Sequence, residues 1–134
     1  MSNKELQRRF VEEYQGGRDE AVADEIMAEG FVNHAEVPGL PNDREGVKML
    51  HRAFWSAFPD FRVEIHELLE DGDRVATRKT FHGTHDGDFM GIPATGRQVS
   101  WDVIDIVRYE NGRLAEHWNV VDQLGLLRQL GVVA

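Results

Sequence analysis

The sequence predicts an α+β fold in which N-terminal helices pack on one face of a curved antiparallel sheet around a pocket. Apolar residues up to position 58 recur at helical spacing, and beyond Pro59 they alternate with polar ones. Asn111-Gly112 joins two long alternating runs, 99–110 and 113–122, and both central residues of the type I′ turn it favours need φ > 0. Helices first and consecutive hairpin strands after them are the order of an α+β domain.

Residues 4–15 place Leu6, Phe10, Val11 and Tyr14 on one helical stripe, capped by Ser2 or Asn3 and ended by Gly16-Gly17. Residues 19–29 give a short helix with Val22, Ile26 and Met27 inward. Phe31-Val32-Asn33-His34 reads as a brief extended piece before the loop EVPGLPND. A third helix covers Arg44 to Phe58, capped by Asn42 or Asp43 and stopped by Pro59. Phe61, Val63, Ile65 and Leu69 mark a strand that turns at Asp71-Gly72 into a second strand over Arg74–His82. The glycine-rich segment 83–97 is a loop over one end of the sheet, and Gln123–Leu130 closes the chain as a short helix.

A length of 134 residues suits one domain, 1–134, with roughly two-thirds of the unfolded surface buried. A net charge of −9 argues against nucleic acid or an anionic membrane as partner. The absence of cysteine removes disulfides, thiolate chemistry and Cys-bound metals. The first ten residues are charged at once, unlike a signal peptide, and no apolar run approaches a membrane span, so a cytoplasmic location is expected.

If Asn111-Gly112 is the whole loop, residues whose numbers sum to 223 pair across the hairpin. Trp101, Val103, Asp105, Val107 and Tyr109 then share a face with Leu114, Glu116, Trp118, Val120 and Asp122, and His117 turns to the other side. Carboxylates among apolar and aromatic neighbours suggest a pocket wall rather than a sealed core. Asp122, walled by Trp101, Trp118 and Val120, is the candidate base, since an apolar wall makes a carboxylate more basic. Its competing role is to cap the last helix. In this register Asp105 lies roughly 13 Å from Asp122 along the strands, too far for a dyad sharing one proton, with Glu116 its diagonal neighbour at roughly 7 Å.

Trp118 is expected to touch a ligand. Trp55, Phe58, Phe81, Met90 and Trp101 are core or pocket wall, while His85 and Phe89 shape the loop at the pocket mouth. His82, His85 and Asp86 lack metal-ligand spacing, and no phosphate or dinucleotide loop stands before a helix, so neither metal nor cofactor is expected.

Several segments resemble the SnoaL-like polyketide cyclases of the nuclear-transport-factor-2-like superfamily. They are Phe31-Val32-Asn33-His34, Phe58-Pro59-Asp60, the block GTHDGDFMGIPATGR at 83–97, Asn111-Gly112-Arg113, Glu116-His117-Trp118, Asp122, and the tail LLRQLG at 126–131. The resemblance covers nearly the whole chain, and the block at 83–97 is its most specific part. It implies a cone-shaped α+β barrel, often a homodimer through the outer sheet surface, and a cofactor-free pocket for a small hydrophobic molecule. The implied reaction is an intramolecular aldol closure on a polyketide methyl ester, with the acid/base aspartate matching Asp122. His34 then falls in a pocket-lining region, where it is placed to polarise an enolate oxygen. Asp105 stands where these cyclases carry a histidine on this strand. The superfamily also includes epoxide hydrolases, dehydratases and non-catalytic binding modules, so two alternatives stand beside ring closure: hydrolysis or dehydration, and plain binding of a small hydrophobe.

Overall fold

The computed structural model describes residues 1–134. Helix α1, Asn3–Arg9, starts at a capping box in which Ser2 and Glu5 satisfy each other's backbone N–H. It continues as a π-helical turn over Phe10–Gln15, whose wider winding turns Phe10, Val11, Tyr14 and Gln15 all inward. Helix α2, Glu20–Ile26, is capped by Asp19 and runs directly into strand β1, Met27–Asn33. Helix α3, Arg44–Ala57, begins at the Asp43 cap. Strands β2 (Arg62–Asp71), β3 (Arg74–Thr84), β4 (Gln98–Glu110) and β5 (Arg113–Val121) follow, and the short helix α4, Gln123–Gln129, ends the fold.

The five strands form one open sheet in the order β1-β5-β4-β3-β2. The α+β class is as the sequence predicts, with one difference: the sheet is mixed, because β1 pairs parallel to β5 while all other pairs are antiparallel. A parallel partner needs a long crossover, and the chain from α3 through β4 supplies it. No helix is long and apolar enough to cross a membrane.

The Asn111-Gly112 turn forms as expected, with both residues at positive φ. The register beyond it differs from the simple sum of 223. Tyr109 pairs with Leu114, but Arg108 pairs with Glu116, so Ala115 is an extra residue in β5. This bulge turns every later side chain of β5 to the opposite face. Asp105 therefore stands opposite Asn119 and Val107 opposite His117. His117, Asn119 and Val121 point inward, whereas Glu116, Trp118 and Val120 point outward.

Two apolar clusters lie on the inner face of the sheet. One gathers Phe10, Tyr14, Ile26 and Val47 against Val75, Val107, Tyr109 and Leu114. The other gathers Phe58, Phe61, Phe81, Phe89 and Trp101 with Leu126 and Leu130 of the C-terminal helix and tail. Burial of each such side chain contributes roughly 1.5–3 kcal/mol. Between the clusters the inner face carries polar residues, and there the helices stand off the sheet.

Candidate functional site

A cavity of about 480 Å³ occupies this gap. Its mouth is marked by lining residues that are exposed: Glu36 and Pro38 on the loop after β1, and Met90 in the glycine-rich loop. One end is aromatic, built from Phe54, Phe81, Phe89 and Trp101. The other end is polar and is made by side chains from six different segments.

Asp105 on β4 is the centre of that polar end. Its Oδ1 accepts from His117 Nε2 at 2.6 Å, and its Oδ2 forms an ion pair with the Lys79 ammonium. Asp105 and Lys79 are almost wholly buried, with side chains 4% and 1% exposed, while the His117 ring is 19% exposed. Burial alone pushes the Asp105 pKa up, but the Lys79 ammonium and the His117 ring outweigh it and hold the carboxyl well below its usual range.

The other ring nitrogen of His117, Nδ1, lies 2.8 Å from Asn33 Oδ1 on β1. That oxygen also accepts from the Ala35 N–H at 3.0 Å, which fixes which way the amide faces. An oxygen acceptor thus faces each nitrogen of the ring. Behind Asp105, Lys79 Nζ donates to Gln15 Oε1 at 2.8 Å, and Gln15 Nε2 meets His51 Nε2 at 3.0 Å. His51 Nδ1 donates to the Val47 carbonyl at 2.8 Å, and burial lowers the His51 pKa to about 4, so this ring is neutral. Asn119 brings a second amide into the lining beside Asn33. The polar end thus holds one carboxylate, the Lys79 ammonium, the His117 ring and several amides. It is suited to stabilising negative charge that develops on a bound molecule and to moving one proton at His117.

Among the residues read from the sequence, Asp105, Trp101, Phe81, Phe89 and Met90 line the cavity. Asp122 does not: it is exposed, and its Oδ1 caps α4 by accepting from the Gly125 N–H at 3.0 Å. The bulge at Ala115 causes this, because after the shift Val121 takes the inward place. His34 lies on the outer face, stacked on Trp118 at 4.8 Å between ring centroids and bonded to Glu116 at 2.7 Å. Trp118 is outside for the same reason as Asp122, with the Arg74 guanidinium over its ring. Phe58 fills the second cluster, and Trp55 donates from Nε1 to the Gln15 carbonyl at 3.0 Å. His85 is fully buried beside Thr95, holding the glycine-rich loop closed rather than facing the cavity.

Sequence reasoning missed His117, Lys79, Gln15 and His51. Two of these left a signal. Lys79 occupies the inward parity of Val75, Thr77 and Phe81, and His51 lies one turn after Val47 on the apolar stripe of α3. A charge or imidazole at such a position marks a buried polar partner. No group of three His, Asp or Glu side chains stands close enough to hold a metal ion.

The family model described as SnoaL-like polyketide cyclase matches residues 4–130. The aklanonic acid methyl ester cyclase DnrD of Streptomyces peucetius is 33% identical over 131 residues, covering 95% of this chain and 89% of that protein. The aklanonic acid methyl ester cyclase AcmA of Streptomyces galilaeus is 30% identical, covering 92% of this chain and 87% of that protein. Among solved structures, TsrD from Streptomyces laurentii superposes with a TM-score of 0.88 at 31% identity, over 99% of each chain.

Proposed function

The chain belongs to the SnoaL-like polyketide cyclase family, and we propose that it closes a ring in a polyketide-derived methyl ester by an intramolecular aldol reaction, with His117 carrying the proton. The observation that carries this reading is the 2.6 Å contact between Asp105 and the partly exposed His117 in the cavity wall. Neutral His117 keeps its Nε2 proton on Asp105, and Nδ1 exchanges its Asn33 contact for the acidic carbon between two substrate carbonyls. The proton moves to Nδ1, giving the imidazolium. The enolate carbon attacks a ketone carbon, one carbon–carbon bond forms, and the new alkoxide takes the proton back from Nδ1. Atoms balance with no co-reactant, and the substrate's own carbonyls delocalise the charge.

The amides of Asn33 and Asn119 are donors available to the enolate oxygen. Phe54, Phe81, Phe89 and Trp101 offer faces for a ring system. A homodimer through the outer sheet surface accompanies this reading, because Ile104, Ile106 and Val120 are 51%, 41% and 76% exposed there.

The test is incubation with aklanonic acid methyl ester, the compound named for the relatives, followed by chromatography and mass spectrometry. Ring closure yields a product of unchanged mass, and His117→Gln lowers its rate roughly 10²–10⁴-fold. Release of methanol with a product lighter by one CH₂ would establish an ester hydrolase instead, and a product lighter by one water a dehydratase. Tight binding with no product would leave a binding module.

A further inference from the structure

We propose that Lys79, Gln15 and His51 form a positioning chain behind the His117–Asp105 pair, a run of hydrogen bonds all donating in fixed directions that keeps Asp105 ionised and aimed at the His117 ring. It deepens the reading of that pair as proton carrier and rests on it.

Each link allows one orientation only. The Val47 carbonyl takes the His51 Nδ1 proton at 2.8 Å, so His51 Nε2 has only its lone pair to offer. The Gln15 amide nitrogen must therefore be the atom that faces it, at 3.0 Å. The Gln15 oxygen is then left to accept from Lys79 at 2.8 Å. Were the amide reversed, its NH₂ would face an ammonium and its oxygen a lone pair. Gln15 is itself held, because the π-helical turn brings Gly16 N–H onto the Val11 carbonyl at 2.9 Å and Trp55 Nε1 donates to the Gln15 carbonyl at 3.0 Å. Lys79 spends its charge on Asp105, and Asp105 receives His117. Thus a neutral histidine on α3 fixes the orientation of a carboxylate on β4.

The charged and titratable groups around Asp105 are Lys79 on β3, His117 on β5, His51 on α3 and Glu36 at the mouth. On the outer face of the hairpin Arg108 and His34 are both occupied by Glu116. Lys79 is thus the one nearby ammonium or guanidinium that compensates the buried carboxylate, beside the His117 hydrogen bond.

The experiment uses the full chain labelled with ¹⁵N and ¹³C. In the wild type, His51 shows the Nδ1–H tautomer and the Asp105 carboxyl stays ionised to the acid edge of the folded range. In Lys79→Met the Asp105 carboxyl titrates upward by about one pH unit or more. In Gln15→Leu His51 keeps the Nδ1–H tautomer set by the Val47 carbonyl, but its Nε2 resonance shifts because the lone pair loses its donor. In both variants kcat falls roughly tenfold or more while KM stays within about twofold, as expected for lost alignment rather than lost binding. Unmoved Asp105 titration and an unmoved His51 Nε2 resonance in variants that fold would overturn the chain. If Lys79→Met does not fold, Gln15→Leu alone decides. The resonances report on the chain even if no ring closure is detected, so failure of the cyclase reading is seen separately.

Discussion

Lys79 and Asp105 form an ion pair in the interior, on neighbouring strands and with side chains 1% and 4% exposed. Two charges taken out of water lose several kcal/mol of hydration each, and their mutual attraction, with the hydrogen bonds to His117 and Gln15, offsets it. Removing one partner strands the other. Asp105→Leu is therefore expected to destabilise the protein by about 3–5 kcal/mol. The double variant Lys79→Met with Asp105→Leu should recover most of that loss, and it should remain inactive because His117 has no carboxylate. Denaturant unfolding of the four proteins of the cycle checks this. Equal loss in the single and double variants would contradict it.

His51 predicts a pH dependence whose sign is set by burial. Its pKa falls from 6.5 to about 4 on folding. Below about pH 6.5 the unfolded chain binds a proton that the folded chain refuses, so stability falls with pH between those two values. The loss is on the order of 3 kcal/mol across the window. Asp105, whose carboxyl is depressed in the fold, adds stability that is complete above its unfolded value and is lost only at lower pH. A variant such as His51→Leu, even if less stable overall, should show a flatter stability profile between pH 6.5 and 4.5. An unchanged slope would mean that His51 is protonated in the folded state.

The extra residue in β5 predicts what a deletion changes and what it leaves. Removing Ala115 takes out the bulge alone: Tyr109 still meets Leu114, Arg108 still meets Glu116 and Val107 still meets His117, so His117 keeps its inward face. The Arg108–Glu116 bond at 2.6 Å is kept with that register. Turnover is expected to survive, with a lower melting temperature from the lost local twist, whereas deletion of Gly39 in the exposed loop should leave both largely in place. Circular dichroism melting compares the two.

The same residue explains what was legible in the sequence. Helical stripes, the Asn111-Gly112 turn and the order of strands follow from local spacing and turn chemistry, and these set the fold. A bulge has no comparable signature here, because Ala115 fits either register. One residue of slip was enough to exchange His117 for Trp118 and Val121 for Asp122 at the site. Asp105 was correctly faced because β4 lies before the bulge. Its partners on β1, β3 and α3 are distant in sequence, and nothing local fixes which of them meet.

Asp122 separates the capping role from a catalytic one. Its carboxylate accepts from the Gly125 N–H at 3.0 Å. Asp122→Ala is expected to cost about 1 kcal/mol, and Asp122→Asn, which still accepts, only a few tenths. Both variants should retain turnover, in contrast to His117→Gln. A collapse of kcat in Asp122→Asn with an unchanged melting temperature would restore Asp122 as the base.

Gly46 ties the cavity mouth to α3. A Cβ built there would lie 1.8 Å from the Pro41 carbonyl oxygen, a distance no real contact tolerates. The crowding arises because Asn33 N–H donates to the Asn42 carbonyl at 2.8 Å, drawing the end of the 34–42 loop down onto the first turn of the helix. Gly46 N–H itself satisfies the Asp43 cap at 3.0 Å, so the helix cannot shift away without losing it. Gly46→Ala must therefore push the loop outward, and overpacking of this kind costs about 1–3 kcal/mol. The loop carries Glu36 and Pro38 at the mouth, and Asn33 at its base touches His117. The variant should consequently raise KM as well as lower the melting temperature, because the mouth and the ring's partner move together. A lower melting temperature with KM unchanged would show that the loop reseats without disturbing Asn33.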